Sequence, residues 1–225
     1  MARYLNAEQH KIVSEAVAAA ELSTSGEIVT VLADRSDGYA DLVLLWATTA
    51  SFTVMSLFAL FPMPFMNLWD RLIGGWMHEW TTGELASMTI ALGLITFVAT
   101  WAVQLWEPLK FALVPSPVRT NRVHQQAIKH FKVGAERRTH GRTGILIYLS
   151  MREHRAEIVA DEPIAEKVSA DVWGNAMADM LVEIRKGCIA EGLAAGVRDV
   201  GEVLSEHFPR TEDDENELPD RLIEV

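Results

Sequence analysis

Leu42–Phe61 reads LVLLWATTASFTVMSLFALF, and Leu85–Trp106 reads LASMTIALGLITFVATWAVQLW. Neither run contains Asp, Glu, Lys, Arg or His, and Gln104 is the one strongly polar side chain. A helix rises ~1.5 Å per residue, so ~20 residues cross a hydrocarbon core ~30 Å thick. The alternative is a pair of buried core helices. A soluble chain this size would rarely surround both with apolar partners, so they read as membrane spans at 42–62 and 85–106. Between them, Leu68, Trp69, Leu72, Ile73, Trp76, Met77 and Trp80 share one helical face, opposite Asp70, Arg71, His78 and Glu79. Tryptophan favours the headgroup boundary, so 63–84 reads as an interfacial amphipathic segment. Pro62 and Pro64, which remove amide donors, end the first span.

Working outward, the chain of 225 residues carries a net charge of −11, unevenly spread. Arg119, Arg122, Lys129, Lys132, Arg137, Arg138 and Arg142 crowd one stretch against Glu136 alone. A basic segment following a membrane helix favours anionic lipid over nucleic acid. Residues 209–225 carry Glu212, Asp213, Asp214, Glu215, Glu217, Asp220 and Glu224 and read as an acidic disordered tail. The start, MARYLNAEQHK, has no apolar core for a signal peptide. Two spans put both termini on one side, flanked by Arg35, Lys110, Arg119 and Arg122, against Arg71 alone in the connection. The positive-inside rule therefore expects a multi-pass protein of the bacterial inner (plasma) membrane with both termini and the soluble part cytoplasmic. The single cysteine, Cys188, suits a reducing compartment.

Outside the spans the pattern is that of an α/β domain. Ile12, Val13, Ala16, Val17 and Ala20 give a helix, with Asn6 and Gln9 spaced as a capping box. Glu27–Ala33, EIVTVLA, and Thr143–Ser150, TGILIYLS, read as buried strands, and Arg155–Ala160, RAEIVA, as a third after a tight turn. Helices are expected over about 118–131, 163–168, 170–186 and 188–207. A crossover makes the first two strands parallel, and the tight turn makes the third antiparallel. The expected fold is a mixed β-sheet flanked by helices with an inserted transmembrane hairpin. Its parts are 1–40 and 115–208 for the soluble domain and 41–109 for the hairpin. Excluding the hairpin leaves roughly 155 residues, enough for one core.

This order resembles the TPM domain family, named for a thylakoid lumen protein, a photosystem II repair protein and a nematode receptor regulator. The stretches that carry the resemblance are SGEIVTVLA, RTGILIYLSMREHRAEIVAD and EIRKGCIAEGLAAGVRDV. The resemblance implies a TPM-like α/β/α sandwich and roles in membrane-complex assembly or repair. It also implies divalent-metal binding or acid phosphatase activity, as attributed to some members. Many members carry a glycine-rich segment after the third strand, where this chain reads Ala160-Asp161-Glu162-Pro163-Ile164. Most are also anchored outside the domain rather than within it.

No His-Glu-x-x-His, Gly-x-Ser-x-Gly, phosphate loop or cysteine pair occurs. His124 and His130 stand six apart, on different helix faces. Arg137, Arg138, His140 and Arg142 suit a phosphate but read more simply as a solvated or lipid-facing turn, and Cys188 as a small core residue. Strand direction separates Asp34 from Asp161 and sends Asp161 and Glu162 to the edge that holds Glu27 and Arg142. Glu27, Asp161 and Glu162 are thus the candidate metal ligands, hard oxygen donors suited to Ca²⁺ or Mg²⁺. A salt-bridge cluster around Arg142 is the favoured alternative. No catalytic residue emerges. The functional expectation is a non-catalytic accessory or scaffold protein with the bilayer and a protein partner, and no nucleic acid. The alternative is a metal-dependent phosphatase. A channel is disfavoured because no ionisable residue lies within the spans.

Overall fold

A computed structural model describes residues 4–73, 80–134, 143–211 and 218–225. Trp76, Met77, His78, Glu79, Glu136, Arg137, Arg138, His140, Arg142 and the acids Glu212, Asp213, Asp214, Glu215 and Glu217 lie outside the described residues. The elements run α1 (Ala7–Glu21), β1 (Glu27–Ala33), α2 (Ala40–Leu60), α3 (Pro62–Ile73), α4 (Thr82–Val103), α5 (Glu107–Leu113) and α6 (Ser116–Gly134). They continue as β2 (Gly144–Ser150), β3 (Arg155–Ala160), α7 (Glu162–Lys167), α8 (Ala170–Arg185), α9 (Ile189–His207) and β4 (Ile223–Glu224). The chain forms two compact units: residues up to Asp37 together with Ser116–Val225, and Gly38–Pro115.

In the first unit the sheet order is β3-β2-β1-β4. β1 and β2 are parallel from Glu27 opposite Gly144 to Ala33 opposite Ser150. β2 and β3 are antiparallel from Ile145 opposite Ala160 to Ser150 opposite Arg155. The strand directions expected from the connections are those observed. Alternation sorts the side chains to two faces. Ile28, Leu32, Ile145, Ile147 and Leu149 pack with Val13 and Val17 of α1, Met180 of α8 and Leu193, Val197 and Val200 of α9. Val29, Val31, Ala33, Leu146 and Tyr148 pack with Val123, Ala127 and Phe131 of α6. Asn6 caps α1 through the expected reciprocal pair with Gln9. The β2–β3 turn needs a left-handed residue, and His154 supplies it at φ 51°.

The tail departs from the sequence expectation. Residues 218–225 fold back rather than dangle. Leu218 and Leu222 are buried, and β4 adds to β1 in parallel with Ile223 opposite Val31. Two paired residues carry no periodicity, so the pattern left them silent.

In the second unit, α2 and α4 pack together, and both are long and apolar enough to cross a membrane. Gly93 lets them approach: the Ser51 hydroxyl donates to the Gly93 carbonyl at 2.8 Å, where a Cβ would meet Met55. Gln104, the one strongly polar side chain of the two runs, donates to the carbonyls of Thr100 (3.0 Å) and Val43 (3.3 Å). Pro62 and Pro64 open α3 as well as closing α2, since proline tolerates a first helical turn. The short helix α5 follows, with Pro108 in its first turn, where proline is tolerated.

Candidate functional site

Parallel strands give the sheet two distinct edges. At the edge where β1 and β2 begin, Glu27 lies opposite Gly144. Asp161 reaches Gly144 from the other side: its N–H donates to the Gly144 carbonyl at 2.9 Å, and its Oδ2 accepts the Gly144 N–H at 3.0 Å. Gly144 therefore stands between the two acids. Two strand spacings put Glu27 and Asp161 ~10 Å apart along the backbone. Their carboxylates diverge further in role, because Glu27 Oε2 accepts the N–H of Leu218 at 3.2 Å. Asp161 also precedes α7, its backbone carbonyl accepting the N–H groups of Ile164 and Ala165, while Glu162 is exposed on the first turn of that helix. Among the described residues no three His, Cys, Asp or Glu side chains are grouped to hold a metal ion.

The same edge holds an acidic cavity of about 370 Å³ lined by Glu21, Glu27, Asp220 and Arg210 among others. Glu21 closes α1 and is buried; its Oε1 accepts the N–H of Ile28 at 2.8 Å. Burial pushes its carboxyl up to about 8, and the charges of Glu27 and Asp220 add to that, against the pull of the Ile28 N–H. Sequence reasoning missed Glu21 because a glutamate at a helix end reads as surface.

At the opposite edge Asp34 follows β1. The Tyr4 hydroxyl donates to Asp34, and the Arg152 Nε donates to both its oxygens at 3.0 and 3.1 Å. The Tyr4 hydroxyl first, and then Arg152, hold the Asp34 carboxyl below the usual range despite partial burial. Deeper in, Ser36 binds the turn after β2. Its N–H donates to Glu153 Oε1 at 3.0 Å and its hydroxyl lies 3.0 Å from those of Tyr148 and Ser150. The Ser150 hydroxyl donates to Glu153 Oε2, and Tyr148, Ser150 and Glu153 are all fully buried. His130 stacks on Tyr148 with centroids 5.6 Å apart, and burial holds its pKa below the ordinary histidine value. This network is a hydroxyl–carboxylate chain, buried at Tyr148, Ser150 and Glu153 and half-buried at Ser36. It fixes the segment after β1 to the β2–β3 turn.

Two other sequence candidates resolve simply. His124 lies 3.4 Å from Glu157 on the surface, apart from His130. Cys188 sits at the N-cap of α9 rather than within it.

No protein-family model and no curated protein matches the chain. Its fold defines it as a mixed α/β protein with two apolar helices. It is similar to the BA42 protein from the psychrophilic bacterium Bizionia argentinensis, solved by NMR, with a TM-score of 0.57 over 100% of this chain and 98% of that one. The identity is 19%, so the likeness concerns the fold.

Proposed function

We propose that this chain is a non-catalytic accessory protein of the bacterial inner membrane. In this reading a TPM-like α/β/α sandwich, split by a transmembrane hairpin, binds a protein partner in the assembly or repair of a membrane complex. The observation that carries it is the outer surface of α2 and α4. Phe52, Leu94 and Ile95 are 63, 61 and 65% exposed, and Leu44, Leu45, Ile90 and Val98 extend the same apolar surface. A water-facing protein rarely sustains apolar patches beyond a few hundred Å², whereas a bilayer covers them at no cost. The partner-binding role draws on the TPM resemblance.

The metal-dependent phosphatase reading is weaker. Glu27 and Asp161 stand two strand spacings apart, and each already commits one carboxylate oxygen to a backbone N–H. Native membranes test the proposal. The chain should resist alkaline carbonate extraction, and crosslinking should recover a defined membrane-protein partner. Release into the carbonate supernatant would overturn the anchor. Phosphomonoester turnover by the purified chain, abolished in Asp161→Ala and by chelator, would overturn the non-catalytic reading.

A further inference from the structure

Helix α6 reads SPVRTNRVHQQAIKHFKVG, with Arg119, Arg122, Lys129 and Lys132 and no Asp or Glu at any position. In a chain of net charge −11 this is a local reversal of sign. At ~100° per residue Arg122, Lys129 and Lys132 fall on the arc opposite the packed face, while Arg119, one turn before Val123, lies at the border of that face. That face is Val123, Ala127 and Phe131, buried against the sheet, while Lys129 and Lys132 are exposed. Val133, 72% exposed, adds an apolar contact on the outer arc.

Little offsets this charge. Arg122 pairs with Asp37 at 3.2 Å. Arg119 Nε is buried and has no hydrogen-bond partner among the described residues. Arg155 of β3 reaches the start of α6 and meets neutral oxygens there: the Ser116 hydroxyl at 2.9 Å and the Thr120 hydroxyl at 3.5 Å. The beginning of α6 thus gathers two guanidinium groups without a carboxylate, and its outer arc continues with two ammonium groups.

We infer that the outer arc of α6, with the exposed Lys129 and Lys132, backed by the positive charge of Arg119 and Arg155 at the start of the helix, is a docking surface for the phosphate headgroups of anionic phospholipids. This rests on the membrane-anchor reading. Val114 and Pro115 alone separate α6 from α5 in sequence, so a chain anchored through α4 holds α6 at high effective concentration near headgroups. Each Lys or Arg close to an anionic leaflet adds a preference of roughly fivefold, screened by salt. Nucleic acid would need the same charges and lacks that proximity.

The full chain, with Cys188→Ser and a fluorophore on Gln125→Cys of the outer arc, would be reconstituted in nanodiscs carrying headgroup spin-labelled lipid. Quenching should be several-fold stronger in discs with about one third phosphatidylglycerol than in phosphatidylcholine alone, and should fall between ~0.05 and ~0.5 M salt. Lys129→Glu with Lys132→Glu should remove the difference, and the milder Lys129→Gln with Lys132→Gln should reduce it. A chain that enters the discs but is quenched equally in both lipids, or in wild type and both variants alike, overturns this inference alone. So does a response to added oligonucleotide that anionic lipid does not produce. A chain recovered outside the discs in every lipid overturns the anchor reading and this one with it.

Discussion

Glu21, the last residue of α1, accepts the backbone N–H of Ile28, the second residue of β1, at 2.8 Å through Oε1. A side chain thus completes the strand where β4, pairing at Val31 and Leu32, does not reach. The other oxygen, Oε2, is buried with no hydrogen-bond partner among the described residues. A half-satisfied carboxyl in an acidic cavity prefers to be neutral.

That preference fixes the sign of a pH effect. Glu21 goes from an ordinary value of 4.5 to about 8 on folding, so between those values the folded chain holds the extra proton. Stability from this group is full below ~4.5 and is lost as pH rises through ~8, by an amount on the order of a few kcal/mol. Glu21→Gln keeps an acceptor for Ile28 and removes the ionisation. Thermal unfolding of the detergent-solubilised chain should show the variant equal to wild type near pH 5 and more stable near pH 9. Parallel pH profiles for the two proteins would contradict the assignment.

Alanine normally outranks glycine within a helix by ~1 kcal/mol, and α9 should reverse that order at Gly201. A Cβ there would lie 2.6 Å from the Cβ of Ala20 in α1, a short side chain with nowhere to move. Gly201→Ala is expected to destabilise by about 1–3 kcal/mol through overpacking. Gly174→Ala in α8, where nothing lies within 4 Å, should be neutral or stabilising. Denaturant midpoints of the two variants, compared with wild type, check the contrast.

Asp161 ties β3 to β2 through both its N–H and its carboxylate at Gly144. Removing the carboxylate leaves a buried N–H without its charged acceptor, so Asp161→Ala should cost about 1–3 kcal/mol whether or not metal is present. Glu162→Ala, on an exposed turn, should cost less than about 0.5 kcal/mol. Isothermal titration with Ca²⁺ and Mg²⁺ separates stability from binding. We expect no saturable heat from wild type; saturable binding lost in Asp161→Asn would restore the metal reading.

The sequence exposed most of the first unit because its signals are local. EIVTVLA and RAEIVA are short apolar or alternating runs bounded by polar turns, and β1 and β3 span those residues. Strand direction followed from connection length alone, which is why Asp34 and Asp161 could be assigned to opposite edges. What stayed hidden depends on chain segments that meet from far apart. β4 is two residues whose partner lies near the other terminus, and α5 is one short apolar segment between prolines. The cavity at Glu21 needed the path of residues 218–225, and Glu153 reads as a charged turn residue until Ser36 and Ser150 are brought to it. The metal expectation grouped Glu27, Asp161 and Glu162 by sheet edge, and the backbone N–H groups that Glu27 and Asp161 accept, at Leu218 and Gly144, depend on chain segments that the pattern of one strand does not show.

The division of the first unit across the chain leads to the last prediction. Residues before Gly38 supply α1 and β1, and those after Pro115 supply the rest of the sheet and its helices. β1 sits between β2 and β4, with all seven of its residues buried, so neither piece can form this core alone. Replacing Gly38–Pro115 by a flexible Gly/Ser linker of about 10 residues should give a water-soluble protein that unfolds in one cooperative transition. Val31→Asp in that protein buries an unpaired charge between β1 and α6 and should cost several kcal/mol. Residues 116–225 expressed alone should expose the β2 edge that β1 covers and aggregate or remain partly unfolded. Circular dichroism melts and sedimentation of the three proteins check this. A fragment 116–225 as stable as the linked protein would mean that β1 is dispensable, and the reading of one domain built from two chain segments would fall.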